Sequence, residues 1–499
     1  MSRSPSLLGI DVGTSSVKVV LINLAGQVLA QARADYSVQR PHKGWAETDP
    51  ELWWSAILDA TTQVRAASNA PPAAIGLSGQ MHGVVLCGAD GTPIRPAMLW
   101  SDSRAEPQLA RYRLLPAEVR ARLGNPLSPG MAGPMLAWLA ENEPENFRSA
   151  TWALQPKDWV RARLTGRFHG EPSDASATLL YDLTAQGWDL EVIAALGLDA
   201  ALLPPLLASS GRFAGELQPG PARELGLAVG IPVAAGAADT AAAALGSGLF
   251  EPGTVQLTIG TGAQLITPAA APTRQGLAVG APVIHTYRAA TATGWYEMAA
   301  VLNGGLALHW VRRTVRATWA ELYAAAESPP GVDDPIFIPY LNGERIPHLD
   351  TGLTAAWIGL TGDHDRTTLL RTALEGVAGA IADALECLPG KAGHGRQVRL
   401  GGGGSTAVGW RQMLADTLDV QLQALDVPGA SALGSAYTGA LAADLIDEPT
   451  LLAALDPPTT LVAQPRPERA DYYRTRRLRS REVFTALQSV ARPAGRDLT

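Results

Sequence analysis

The opening of the chain alternates between apolar runs and short polar breaks. Residues 7–12 (LLGIDV) are apolar and partly β-branched, and GTSS follows as a turn. Residues 18–24 (KVVLINL) alternate well enough for a strand, NLAG is the next turn, and residues 28–38 (VLAQARADYSV) read as a third strand. The pattern predicts a three-stranded meander with one acid, Asp11, at its first tight turn. The period then lengthens. WAETDPELWWSAILDATTQVRAA carries apolar residues at helical spacing, with Thr48 or Asp49 as cap and Pro50 at the first helical position. AAIGLSGQ is a short buried strand that ends in a polar loop, MHG.

A related pattern recurs past the middle of the chain. GTVQLTIGTGAQLIT reads as strand, Gly-Thr-Gly turn, strand. Aligned on the shared Gly-Thr, Gly13 and Thr14 match Gly260 and Thr261, and Asp11 matches Thr258. This weak internal repeat predicts two α/β domains of the same kind facing each other, residues 1–247 and 248–499. The alanine tract after Asp239 would be the last helix of the first domain.

Composition narrows the field. A chain of 499 residues exceeds one ordinary core, and 46% hydrophobic with 17% charged residues is an ordinary globular balance. A net charge of −7 argues against a constitutive nucleic-acid binder, which needs a basic surface, but not against a small anion held by a nest of amides. Two cysteines, Cys87 and Cys387, build neither a disulfide framework nor a zinc site, so a reducing, cytoplasmic setting is expected. No unbroken apolar run reaches membrane-spanning length, and MSRSPSLLGIDVG does not read as a signal peptide. The arginines between Arg474 and Arg481 read as a solvated helix face.

Several stretches carry chemistry. GIDVGTSS places amides and hydroxyls in a concave turn beside a carboxylate, which suits a phosphate and Mg²⁺, although a plain hairpin turn would look the same. RLGGGGSTAVGWRQMLAD puts four glycines after a strand and at the opening of a helix. Such a run lets backbone approach an anionic ligand, but it is neither a dinucleotide fingerprint nor a Walker motif. In GQMHG, His82 between glycines is placed to donate to a hydroxyl-rich ligand. WSDSR gathers an aromatic, a carboxylate and an arginine, as sugar recognition does; a surface Asp–Arg pair is the plainer reading. Asp239 stands alone in VAAGAADTAAAALGSG, where a lone charge needs a partner, a cap role or a function.

Together these stretches resemble the FGGY family of carbohydrate kinases, nearly end to end, and within it the members that phosphorylate D-xylulose. RPHKGWAETDPELWW, PAMLWSDSR, LQPKDWVRARLTG, SDASATLLYDL and FIPYLNGERIPH extend the resemblance, and GQMHG followed by LWSDSR favours that branch. The resemblance implies two actin-like (ribonuclease H-like) domains around a central cleft. It implies a reaction of ATP with D-xylulose, assisted by Mg²⁺. Asp239 matches the family's general base, and Asp11 matches the metal-associated acid. Thr14, Ser15, Gly260 and Thr261 would cradle phosphates, and Gly402, Gly403, Gly404 and Ser405 would lie against the adenosine and its phosphates. Met81 and His82 match the sugar-contacting pair, with Trp100 and Asp102 near the sugar. Glu344 and Arg345 match a motif near the cleft whose role the resemblance does not supply.

Thr240 departs from the pattern, because Asn or Gln usually follows the base and contacts the sugar. This keeps open a sister kinase for another ketopentose, a polyol or a sugar acid. A non-catalytic sugar- or ATP-binding protein, or an actin-like ATPase, is the second alternative, against which Asp11 and Asp239 both stand. The expected partner is a small sugar, with neither nucleic acid nor membrane; a homodimer is one of the assembly states left open.

Overall fold

The computed structural model describes residues 5–272, 284–350, 352–390 and 397–487. Among them lie two seven-stranded sheets. The first uses β1 (Ser6–Val12), β2 (Ser16–Asn23), β3 (Val28–Asp35), β4 (Pro72–Gly79), β5 (Phe213–Glu216), β6 (Pro232–Ala234) and β7 (Ala237–Ala238). Its order is β5-β6-β4-β1-β2-β3, with β7 also on β4. β1 to β3 form the expected antiparallel meander, and β4 runs parallel to β1. β1 is buried along its whole length, so it reads as a continuous apolar strand, whereas the edge strand β3 alternates.

The second sheet uses β8 (Val255–Ile259), β9 (Ala263–Ala269), β10 (His285–Arg288), β11 (Trp295–Val301), β12 (Gln397–Gly401), β13 (Gln421–Leu425) and β14 (Thr459–Ala463). Its order is β10-β11-β9-β8-β12-β13-β14. An antiparallel β8–β9 hairpin beside a parallel β12 repeats the arrangement of β1, β2 and β4. The internal repeat is therefore structural: Asp11 and Thr258 both sit near the end of the strand that leads into the Gly-Thr turn.

Helix α1 (Pro50–Ala67) covers one face of the first sheet. Asp49 caps it by accepting from the Glu51 amide, and Trp53, Ile57, Ala60 and Val64 supply its buried stripe. The other face is covered by a helix from much later in the chain. Helix α3 (Ala430–Ala442; α2 is Asp239–Gly246) lies so close to the sheet that a Cβ on Gly76 would fall 1.6 Å from the Ser435 carbonyl oxygen. A Cβ on Gly434 would fall 1.8 Å from the Ala242 carbonyl oxygen, so α2 and α3 also meet backbone to backbone. Only glycine permits these approaches. The chain thus leaves the second sheet after β13, packs α3 on the first, and returns for β14. Sequence spacing carries no signal for which sheet a small-residue helix will meet, so this packing of α3 was not expected.

The arginine-rich helix (Pro467–Leu487) departs from expectation as well. Arg477 and Arg481 reach Asp383 at 2.7 and 2.6 Å, and Arg476 reaches Glu375 at 3.5 Å, all on the long helix Arg366–Cys387. These three form a seam between helices; Arg474 and Arg479 remain solvated. Met135 is fully buried in the core of the first domain. Among the described residues no helix is long and apolar enough to cross a membrane.

Candidate active site

Parallel pairing sets the C-terminal ends of β1, β4 and β7 side by side, with Val12 and Ala238 each opposite Gly79. Three segments leave this edge together: the Asp11 turn, the Met81–His82 loop and Asp239. Ligands of open α/β sheets bind at this edge. Asp239 opens α2 as its first residue and is not its cap; the cap position is Ala238. Its Oδ1 accepts from the Thr240 amide at 2.6 Å and the Thr240 hydroxyl at 3.1 Å. Burial, then the charge of Asp11, pushes the Asp239 carboxyl up to about 7 despite these bonds. The Thr240 hydroxyl is therefore turned to the carboxylate beside it.

Burial also raises Asp11, partly offset by the Ser78 hydroxyl, which donates to its Oδ1 at 3.0 Å, and by Lys18. The following turn is braced from three sides. The Gly13 backbone amide donates to the Ser16 carbonyl at 3.0 Å, the Gln80 side-chain Nε2 to the Gly13 carbonyl at 3.3 Å, and the Tyr36 hydroxyl to that same carbonyl. The Trp100 indole donates to the Thr14 hydroxyl at 2.9 Å, and Ser15 is exposed at the tip. Among the described residues no group of three or more acidic, His or Cys side chains forms a metal cage. The buried Asp11 carboxylate, whose charge raises the proton affinity of Asp239, fits Mg²⁺, which keeps waters and binds through one or two carboxylates plus phosphates.

His82 adopts a left-handed backbone, φ 71°, an uncommon state for a non-glycine residue. Its Nδ1 lies 2.6 Å from the Ala177 carbonyl, which only accepts, so Nδ1 carries the hydrogen. Burial, helped by the charge of Arg345, lowers the ring to about 4 despite the bond to Ala177. Neutral His82 thus offers Nε2 as an acceptor; the expected donor role is corrected by this tautomer. The second domain closes the opposite side. Tyr287 lies 6.1 Å from His82, ring to ring, and the Tyr296 hydroxyl lies 3.9 Å from the Met81 sulfur. β10 is tied to the first domain: Asn125 bonds both the amide (3.0 Å) and the carbonyl (3.2 Å) of Thr286, and the Arg288 amide donates to Ser176 at 3.0 Å. Tyr287 and Tyr296 were not legible as site residues, since neither HTYR nor GWYEM matches a motif; the structure shows them fully buried on neighbouring strands.

The WSDSR loop divides. Trp100 faces the phosphate turn, as described. Asp102 points inward with no exposed side-chain surface; it accepts from the Ala46 amide at 2.7 Å and pairs with Arg104 at 2.6 Å. Both its oxygens are occupied, which leaves none for a sugar. The Arg104 guanidinium stacks 3.3 Å above the Trp45 ring.

On the second sheet, parallel pairing of β8 with β12 brings Gly260 and Thr261 beside Gly402–Ser405. Gly402 has φ 89°, and a Cβ there would lie 2.6 Å from the Ile259 carbonyl oxygen. Gly403–Ser405 form one 3₁₀ turn, and the next helix starts only at Val408, so the glycines do not themselves open a helix. The Ser405 hydroxyl donates inward to the Gly402 carbonyl at 2.7 Å. A cavity of about 530 Å³ opens here, lined by Gly260, Thr261, His309, Trp319, Gly403 and Gly404 among others. Glu344 accepts from the amides of Leu302 (2.7 Å), Arg345 (2.8 Å) and Asn303 (3.3 Å), so it pins two loops together.

Residues 6–246 match the profile of the N-terminal domain of the FGGY family of carbohydrate kinases, and residues 255–443 match that of its C-terminal domain. The xylulose kinase of Escherichia coli (strain K12) is 34% identical over 445 residues, 89% of this chain and 90% of that one. The solved structure of a xyloylose kinase from Brucella ovis superposes with a TM-score of 0.89 at 33% identity, covering 97% of this chain and 100% of that one. A gluconate kinase from Lactobacillus acidophilus superposes with a TM-score of 0.90 at 23% identity, covering 98% and 99%, a likeness of fold alone.

Proposed function

The chain belongs to the FGGY family of carbohydrate kinases, with its actin-like pair of domains and ATP as phosphoryl donor, and from that premise we propose that it phosphorylates D-xylulose to D-xylulose 5-phosphate with Asp239 as general base. The observation that carries this reading is the meeting of Asp239, the Asp11 turn and the Met81–His82 loop at one sheet edge. A sugar hydroxyl is a poor nucleophile. A carboxylate with a proton affinity near neutral can accept its proton as it attacks the γ-phosphorus.

Each domain has its part. His82, through Nε2, accepts a hydrogen bond from a sugar hydroxyl and so orients the ring or chain. Thr14 and Ser15 receive phosphate oxygens from one side, and Gly260 and Thr261 from the other. Gly402 to Ser405 border the cavity that suits the adenosine. Asp11 would hold Mg²⁺, whose charge offsets that of the phosphates. Tyr287 and Tyr296 exclude water from the sugar side, so that the sugar takes the phosphoryl group in preference to water.

The test is ADP release with Mg-ATP against D-xylulose, D-ribulose, L-ribulose, D-xylose, glycerol and gluconate, beside a control without sugar. D-Xylulose should lead in kcat/KM. Another leading sugar would change the substrate and make Thr240 the first residue to examine. Turnover independent of sugar would overturn the kinase reading. Asp239→Asn should fold and lose roughly 10²–10⁴-fold in kcat.

A further inference from the structure

Behind the sheet edge lies a buried ionic cluster that the chemistry above does not use. The Lys157 side chain is fully buried and reaches Asp158 at 2.7 Å, Asp174 at 3.0 Å and Glu171 at 3.2 Å. Arg161, equally buried, pairs with Asp158 at 2.7 Å. Such clusters are costly to desolvate and are weak arguments for stability alone. What sets this one apart is where its hydrogen bonds go.

Two of them grip the peptide that leads into Asp239. Arg161 donates to the Ala235 carbonyl at 2.5 Å. The Ser173 hydroxyl accepts from the Ala238 amide at 2.9 Å. That hydroxyl has one hydrogen, and it donates to Glu171 Oε1 at 2.7 Å. Glu171 is held as an acceptor by the amides of Ser173 (2.9 Å) and Asp174 (3.0 Å), by Lys157 and by the Ser210 hydroxyl (2.8 Å). With its hydrogen committed to Glu171, Ser173 must turn a lone pair to Ala238. The direction of that bond is therefore set by the charged cluster.

We propose that Ser173, oriented by Glu171 and Lys157, is a positioning residue that fixes the Ala238 peptide and thereby aims the Asp239 carboxylate at the sugar hydroxyl. The proposal rests on the reading of Asp239 as base. Removing the hydroxyl leaves a buried amide unpaired and frees the base to swing, and small displacements of a reacting group are costly.

The test compares wild type, Ser173→Ala, Ser173→Thr, Ser210→Ala and Asp239→Asn with Mg-ATP and D-xylulose, or the leading sugar of the panel above. Ser210 bonds the other oxygen of the same Glu171 but does not touch the base peptide, so it controls for loss of a buried bond. Ser173→Ala should lose about 10²-fold in kcat. Its KM values for sugar and ATP should stay within about 3-fold, as expected for an interaction that acts in the transition state. Ser173→Thr, which keeps the hydroxyl, should recover most of the rate, and Ser210→Ala should lose thermal stability with kcat intact. Wild-type kcat in Ser173→Ala, or an equal loss in Ser210→Ala, overturns the proposal. If Ser173→Ala does not fold, Ser173→Cys, with its weak sulfur acceptor, is read by the same criterion. Full turnover by Asp239→Asn would instead remove the base, a distinct result.

Discussion

The imidazole Nδ1 of His82 and the carbonyl oxygen of Ala177 stand 2.6 Å apart, and this bond decides which ring nitrogen is left free. The ring stays neutral across the physiological range because burial holds it at about 4. Nitrogen NMR should show a single Nδ1–H tautomer between pH 6 and 9, with no titration. His82→Ala should raise the sugar KM more than the ATP KM. Equal effects on both would place His82 outside the sugar site.

Asp239 should limit activity at low pH and stability at high pH. As a base it works only when ionised, so kcat/KM should fall below its value of about 7. The stability effect has the opposite sign. Its carboxyl is raised above 3.8, so the fold favours the protonated form. The penalty is absent below about 4, grows as pH rises, and is complete above about 7. Asp239→Asn should therefore melt higher than wild type at pH 8 while losing turnover, and the gain should vanish near pH 4. Differential scanning fluorimetry across pH checks this.

Trp100 and Asp102, two residues apart, should give unlike phenotypes. Trp100→Phe removes the indole donor to Thr14 and should raise the ATP KM more than the sugar KM. Asp102→Asn leaves Arg104 buried against a neutral partner, a loss of about 3–5 kcal/mol for a broken buried pair, lessened by the remaining bond to Glu47. Its sugar KM should hardly move. Melting temperature and steady-state kinetics on both variants separate the two roles.

Gly76→Ala should be among the most damaging small substitutions away from the active site. The new methyl would overlap the Ser435 carbonyl, which is backbone and cannot rotate aside. α3 must then move off the sheet, and its contact with α2 with it. The expected result is a soluble yield far below wild type, or a melting temperature lower by about 5–10 °C, from a cost of roughly 3 kcal/mol in overpacking. A near-native melting temperature would show that α3 can shift without loss.

Much of the local architecture was legible because it rests on short-range signals. The period-2 and helical runs gave the meander, α1 with its Asp49 cap, and the repeated hairpin. Asp239 was legible as an anomaly, a lone charge among alanines. Its support was not: Ser173 and Lys157 lie 66 and 82 positions earlier, and no local pattern encodes that meeting. The WSDSR loop shows the same limit at short range. A loop has no period, so nothing told that Trp100 points to the turn and Asp102 into the core. The glycine run was misplaced for a steric reason. Gly402 is glycine because the chain crosses the Ile259 carbonyl there, not because a helix begins.

The late placement of α3 has a consequence for how the protein is made. The ribosome finishes the strands of the first sheet by Ala238, but the helix that covers their glycine-lined face ends at Ala442. At about 5–20 residues per second, that face stays bare for roughly ten seconds or longer. The amino-terminal domain, first to be synthesised, is thus among the last parts of the molecule to be completed.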